Sequence, residues 1–429
     1  MTLDLIRKNL DPVISETLER ALSNKDISVE RAAELFDTSG ADMNMILLVA
    51  DELRRRAVGD LVTYVINRNI NFTNVCVKRC GFCAFSRDFR EEEGYFLPIR
   101  EIVNRAKEAS RLGATEVCIQ AGLPPRMSGD LYVEICKAIK KELPEIHIHA
   151  FSPEEVLYGA SRSGVSVKEY LRMLKEAGVD SLPGTAAEIL DQDVRDLISP
   201  GRISVKDWVR VIKLAHDMHI PTTSTIMYGH VESSLQKAKH LQLLKEIQNE
   251  TQGFTEFVPL SFVHMQAPMY NQNKNKNENE NNKDGDKPLS KVRPGPSGQE
   301  VLKMHAVSRI MLNGYINNIQ VSWVKEGARM SQVLLGVGAN DFGGTLINES
   351  ISTAAGAQYG QLMKPKYLRS IILDSGRIPA QRTSLYTIVK EYSNQPNDSD
   401  SLLDMADPVD FGSYHQLIKT DRFRYRSDL

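Results

Sequence analysis

Residues 70–87 read INFTNVCVKRCGFCAFSR, an apolar run that delivers Cys76, Cys80 and Cys83 within eight positions. The chain has five cysteines in 429 residues. That is no disulfide framework. Crowding three of the five together points to metal chemistry in a reducing compartment. Structural zinc wants four protein ligands, and catalytic zinc wants three plus water. After Cys83 no cysteine occurs until Cys118, and the first histidine is His147. Tetrahedral zinc would therefore need a distant fourth ligand. An iron–sulfur cluster normally takes four cysteines. Three at this spacing leave one iron of a four-iron cubane without a protein ligand, open to a small chelating molecule.

Upstream, the first 60 residues read as helices, with apolar positions at helical spacing over Val29–Phe36 and Met45–Ala57. From Asn69 onward, short β-rich runs alternate with amphipathic helices. Strands are expected at Ile70–Val77, Glu116–Gln120, Ile146–Phe151, Asp180–Leu182, Thr222–Met227, Phe254–Phe262 and Ile319–Trp323. Helices are expected between them, at Ile99–Leu112, Leu131–Leu143, Val167–Ala177, Ala187–Ile198, Val205–Met218, Leu235–Gln248 and Gln299–Leu312. Ser152-Pro153-Glu154-Glu155 carries an N-cap serine, a first-turn proline and a capping-box glutamate. Repeated strand–helix units imply a parallel sheet, either doubly wound or closed into a barrel. A barrel puts its active site on the loops after the strands, and the chemistry-bearing residues here do follow strands.

The formal net charge is −2 and charged residues make up 25%. That balance gives no drive toward nucleic acid or an anionic membrane. No run approaches the roughly 18 apolar residues of a membrane span. The start, Met1 to Arg7, lacks a signal-peptide core, so a cytoplasmic location is expected. Residues 271–296 are rich in Asn and Lys and too polar to bury a core, which reads as a disordered surface insertion. Lengthening a loop this much costs only about 1.3 kcal/mol of closure entropy. The expected organisation is a helical extension over 1–60, a barrel over 61–380 and a C-terminal extension over 381–429.

The CxxxCxxC spacing, with Phe82 before the last cysteine, resembles the radical S-adenosylmethionine superfamily. That resemblance implies an α/β fold, a TIM-type (β/α) barrel, with one 4Fe-4S cluster on Cys76, Cys80 and Cys83. S-adenosylmethionine would chelate the open iron and break to a 5′-deoxyadenosyl radical. CIQAGLPP, IHIHAFSPEEV, DSLPGTAAEILDQDVR, TTSTIMYGHVE, GFTEFVPLSFVH and GANDFGGTLINESI are similar to one branch of the superfamily. It contains the two halves of the deazaflavin FO synthase and two enzymes of the futalosine route to menaquinone. The wording is nearest to FO synthase subunit 2, the 5-amino-6-(D-ribitylamino)uracil–L-tyrosine 4-hydroxyphenyl transferases of coenzyme F-420 biosynthesis. One cysteine triad implies one half of the two-headed enzyme.

The resemblance implies that tyrosine fragments at Cα–Cβ and that its 4-hydroxybenzyl group joins carbon 5 of the uracil. FO synthase subunit 1 would be the companion, and ferredoxin or flavodoxin the electron donor. The alternatives are a futalosine-pathway enzyme, or a non-catalytic iron–sulfur electron carrier.

Strand-end position and resemblance together select the remaining residues. Phe82, Gln120, Gly122, Glu188 and Arg195 are expected around the cofactor, with Glu188 on its ribose and Arg195 on its carboxylate. His149, Tyr228, His230, Asn340 and Asp341 are expected at the substrate, with Glu232 and His264 nearby. Glu155 reads as a capping residue, and Cys118 and Cys136 as packing residues.

Overall fold

The computed structural model describes residues 10–277, 292–392 and 401–426. Its centre is a parallel ladder that closes on itself. Strand β1 (Leu61–Val65) continues into β2 (Asn67–Ile70). β2 pairs with β3 (Glu116–Ile119), and β3 pairs with β4 (His147–His149). Parallel bridges His149–Ser181 and Leu182–Thr222 carry the ladder to β5 (Thr222–Tyr228), which pairs with β6 (Phe254–Ser261). Bridges Phe257–Ile319 and Gln320–Asp341 lead to β7 (Asp341–Gly344), and β7 returns to β1 with Thr63 opposite Asp341. The result is the expected TIM-type barrel, with two staves reduced to single bridged segments.

Helices wrap this ring. They are α1 (Pro12–Leu22), α2 (Val29–Asp37), α3 (Gly40–Val58), α4 (Ile99–Arg111), α5 (Leu131–Glu142), α6 (Pro153–Ser163) and α7 (Val167–Glu176). The series continues with α8 (Gln192–Ile198), α9 (Val205–Asp217), α10 (Ser234–Thr251), α11 (Pro268–Asn277), α12 (Gly298–Leu312), α13 (Trp323–Leu334) and α14 (Pro365–Asp374).

Local chemistry sets several helix starts. Ser152 and Glu155 form the expected capping box on α6. Ser166 and Ser204 accept from the third backbone N–H of α7 and α9. The stripe Trp208, Val211, Ile212 and Ala215 of α9 is fully buried. The N-terminal helices pack on the barrel's outer layer, α2 on α10 and α3 on α12. Leu35, Ile46 and Leu53 are wholly buried there. Each such side chain is worth roughly 1.5–3 kcal/mol of transfer free energy.

Several expectations need correcting. The strand after the N-terminal helices starts at Leu61, and its regular part ends at Ile70. Residues 71–87 instead form the cysteine loop. Ala187–Ile198 is helical only from Gln192, because Ala186 and Glu188 take left-handed φ values of 59° and 45°. The expected insertion at 271–296 is described only at its two ends. α11 runs to Asn277, and Arg293 is ordered by Glu232 at 2.9 Å; residues 278–291 lie outside the described residues. Finally, β8 (Ile378–Arg382) crosses the expected boundary at 380. It lies parallel to β1, and β9 (Ile388–Glu391) folds back on it as a hairpin. No helix of the described residues is long and apolar enough to cross a membrane.

Candidate active site

Alternate strand residues point to opposite faces of a sheet, so each barrel strand sends a row of side chains inward. The rows Glu116–Cys118–Gln120, Thr223–Thr225–Met227 and Glu256–Val258–Leu260 line one cavity of about 390 Å³. Its mouth is at the C-terminal strand ends, beneath the cysteine loop. Its floor is at the N-terminal strand ends.

Backbone contacts fix the cysteine loop at several points. Gly122 N donates to Thr73 O (2.9 Å), Val77 N to Leu123 O (2.8 Å) and Gly81 N to Ile198 O (2.8 Å). Cys76, Cys80 and Cys83 all face the cavity. Burial pushes the Cys80 thiol up to about 12 and raises that of Cys76. Such thiols stay protonated until a metal displaces the proton. Among the described residues, no three His, Cys, Asp or Glu side chains converge as ligands of a single ion. The three sulfurs border one space, where one thiolate each could go to three irons of a cluster.

A charged rim adjoins the loop. Arg202 pairs Glu188 at 2.7 Å and Glu154 at 3.6 Å, and lies 5.4 Å over the Phe82 ring. Lys78 pairs Glu154 at 3.2 Å. The left-handed turn at Ala186–Glu188 turns the Glu188 carboxylate toward the cavity, and Glu188 O accepts from Met227 N at 2.6 Å. Phe82, Gln120, Gly122, Glu188 and His149 all line the cavity. Gln120 Oε1 accepts from Thr185 Oγ1 at 3.1 Å. His149 Nδ1 and His147 Nε2 share Ser181 Oγ at 2.7 and 2.6 Å. Burial lowers the His149 imidazole to about 4, so it is neutral at physiological pH. Glu155 is the expected cap and also borders the cavity, accepting from Ala121 N at 2.9 Å; burial raises its carboxyl to about 7.

Other expected site residues lie elsewhere. Arg195 is buried, and its guanidinium donates to the carbonyls of Ala186, Ala187 and Ile203. It closes the turn below Glu188 and does not reach the cavity. Tyr228 ends a strand buried at every position and is bonded to Ser261 at 3.0 Å. His230 is fully buried, within 3.2 Å of Glu232. His264 packs on the Tyr270 ring. Asn340 holds Arg309 (2.9 Å) and Ile319 N (2.9 Å). Asp341 is spent on Arg382 at 2.5 Å. Apart from Arg195, which lies on α8, each of these residues adjoins a strand, but its side chain packs in the barrel wall or shell and does not line the cavity.

The sequence reading missed Arg202, Lys325, Glu256, Arg382 and Ser384, which do line the cavity. Arg202 sits in a loop beyond α8, so no strand-end rule finds it. Glu256 had a signal, a lone carboxylate in the period-two row with Val258 and Leu260. Lys325 Nζ donates to Ser352 Oγ at 3.0 Å; burial lowers its ammonium, with Glu349 and Glu326 opposing.

The chain matches two family models, the radical SAM superfamily over residues 70–244 and the CofH/MqnC C-terminal region over 251–395. It is 50% identical over 369 residues to the 5-amino-6-(D-ribitylamino)uracil–L-tyrosine 4-hydroxyphenyl transferase of Methanocaldococcus jannaschii, covering 85% of this chain and 98% of that one. The Methanothermobacter thermautotrophicus protein of the same name is 43% identical over 383 residues, covering 89% and 100%. Two solved structures share the fold. The [FeFe]-hydrogenase maturase HydG has a TM-score of 0.64 at 16% identity, covering 90% of this chain and 79% of that one. Methylornithine synthase (PylB) has a TM-score of 0.63 at 17% identity, covering 85% and 97%. With its cysteine triad over a TIM-type cavity and this identity across whole relatives, the chain belongs to the 5-amino-6-(D-ribitylamino)uracil–L-tyrosine 4-hydroxyphenyl transferase family of the radical SAM superfamily.

Proposed function

We propose that this chain transfers the 4-hydroxybenzyl group of L-tyrosine to 5-amino-6-(D-ribitylamino)uracil, in the synthesis of FO and coenzyme F-420. The observation that carries this reading is the 43–50% identity to transferases of that name across 98–100% of their lengths. The cofactors are one 4Fe-4S cluster and S-adenosylmethionine. When bound, the cluster supplies the electron that cleaves S-adenosylmethionine into the species that takes a hydrogen atom from tyrosine.

The chain's own residues do the rest. Cys76, Cys80 and Cys83 hold the cluster at the mouth. Arg202 takes the role expected of Arg195, a guanidinium for the cofactor carboxylate. Glu188 faces the ribose hydroxyls, with Gln120 and Gly122 lining the same end. Lys325, half-buried near the start of α13, is an ammonium whose described hydrogen bond is to a neutral hydroxyl. It suits the tyrosine carboxylate. Met227, Val258, Leu260, Phe262 and Val324 form an apolar wall for the phenol ring and keep water from the reacting carbon. His149, neutral and braced by Ser181, offers its second ring nitrogen to a polar substrate.

Tyr228, His230, Asn340 and Asp341 support these walls from behind. FO synthase subunit 1 is the proposed companion, ferredoxin or flavodoxin the proposed reductant, and the cytoplasm the proposed location. The test is anaerobic turnover with dithionite. Release of 5′-deoxyadenosine should require tyrosine, and adding the companion subunit should yield fluorescent FO. Cyclisation of dehypoxanthine futalosine without any tyrosine-derived product would overturn the assignment.

A further inference from the structure

The floor of the cavity is chemically unlike its mouth. β8 and the turn after it bring Arg382 and Ser384 inward from outside the family's cysteine-bearing half. Arg382 is held by Asp341 (2.5 and 3.0 Å) and Glu256 (3.2 Å), with its guanidinium 4.0 Å over the Tyr386 ring. The Tyr386 phenol donates to Glu256 Oε2, and Gln320 Nε2 lies 3.4 Å from both Glu256 oxygens. Glu116 accepts from Asn67 Nδ2 at 2.8 Å. Two buried carboxylates, Glu256 and Asp341, thus hold one guanidinium, and a third, Glu116, lies close to Glu256. Burial pushes the Glu256 carboxyl up to about 7 against the pull of Arg382. Ser384 Oγ is more than nine-tenths buried beside the Glu116 carboxylate, which it helps to keep charged. Asn69 Oδ1, on the same cavity, is buried without a partner among the described residues.

Unpaired buried polar atoms cost about 1–3 kcal/mol each unless something pairs with them. The charge balance excludes an anionic ligand group, so the tyrosine carboxylate does not belong here. Carboxylates accept hydrogen bonds only, whereas serine and asparagine both donate and accept. A neutral group rich in hydroxyls satisfies all of them.

We propose that the floor formed by Asn69, Glu116, Glu256, Gln320, Arg382 and Ser384 binds the polyhydroxylated ribityl chain of the uracil substrate. This rests on the transferase reading above. The chain points down toward Glu116 and Glu256, and the uracil ring lies above it, level with Cys118, Thr225 and Val258. Carbon 5 is then presented toward the mouth, where the benzyl fragment arises. β8 and its turn thereby select the acceptor substrate, while the cysteine loop serves chemistry common to the superfamily.

The test compares 5-amino-6-(D-ribitylamino)uracil with 5-amino-6-methylaminouracil, which lacks the polyol, by anaerobic equilibrium dialysis against reconstituted holoenzyme. The wild type should prefer the ribityl compound by roughly tenfold or more, the factor that about 1.4 kcal/mol supplies. Ser384→Ala and Glu256→Gln should each cut that preference about fivefold or more, equivalent to one lost hydrogen bond of roughly 1 kcal/mol. Iron content and KM for tyrosine should stay within about twofold of wild type on the same scale. A preference unchanged in both variants, or a rise in tyrosine KM in place of the acceptor effect, would overturn the subsite alone. A wild type that makes no tyrosine adduct of the ribityl compound would overturn the transferase reading as well.

Discussion

Gly122→Ala is a one-carbon perturbation whose effect on the cysteine loop follows from distances. Gly122 is not in the left-handed region, so backbone strain does not explain the glycine. Space does. A Cβ at this position would sit 2.3 Å from Val75 O and 2.8 Å from Val75 C. Both are backbone atoms of the residue preceding Cys76, so no side chain can rotate away. Relief requires the strand end and the loop root to part by roughly 0.7 Å or more, on the scale where overpacking costs about 1–3 kcal/mol and occasionally more. The contacts at risk are Gly122 N to Thr73 O and Val77 N to Leu123 O, which aim Cys76 at the cavity. The melting temperature should fall by roughly 2–12 °C, from about 2–4 °C per kcal/mol in large domains, and iron content after reconstitution should fall with it. Gly336→Ala is the control. Its nearest neighbour would be Val333 O at 3.5 Å, so it should be neutral or slightly stabilising. A Gly122→Ala protein with wild-type melting and full iron content would refute the reasoning.

Single Cys76→Ala, Cys80→Ala and Cys83→Ala variants should each lose the four-iron cluster, whereas Cys118→Ala, on β3 and outside the loop, should keep it; iron and sulfide assays decide. Arg202→Gln should weaken S-adenosylmethionine binding roughly tenfold, from about 1.5–3 kcal/mol per charged hydrogen bond, with iron content retained; unchanged binding would remove Arg202 from the site. Stability should fall on mild acidification. Burial holds His149, His216 and His305 at about 4 and His240 at about 3, each below the unfolded value of 6.5. Their contribution is complete above pH 6.5 and is lost as pH drops toward 4, each tenfold weakening of proton affinity on folding being worth about 1.4 kcal/mol. Glu155 and Glu256, raised to about 7, act oppositely, losing stability as pH rises from 4.5 through 7. Four histidines outweigh two carboxyls, so urea unfolding at pH 5 should show a smaller free energy than at pH 7; equal values would contradict this.

The barrel was legible because its signals are local. β-rich runs, serine caps and the α9 stripe all fix elements without knowledge of their neighbours. The cysteine triad was legible for the same reason. What lay hidden was direction. Tyr228, His230, Asn340 and Asp341 were placed correctly beside strands, but strand-end position does not say whether a side chain faces the cavity or the shell. Arg195 and Arg202 are seven residues apart, and only the left-handed turn at Ala186–Glu188 decides that the second meets Glu188. Arg382 and Ser384 reach the floor through β8, whose pairing with β1 spans more than 300 residues. Glu256 was readable in principle, since a carboxylate in an otherwise apolar inward row marks a polar ligand or a buried partner.

The central claim is that the benzyl carbon of tyrosine moves to the uracil. It is tested most directly with L-tyrosine carrying carbon-13 at Cβ alone, incubated anaerobically with reduced holoenzyme, S-adenosylmethionine and 5-amino-6-(D-ribitylamino)uracil. Mass spectrometry should find the label in a 4-hydroxybenzyl adduct of the uracil, with unlabelled glyoxylate from the remaining two carbons. Label retained in intact tyrosine while 5′-deoxyadenosine accumulates, or appearing in any product other than the uracil adduct, would contradict the account.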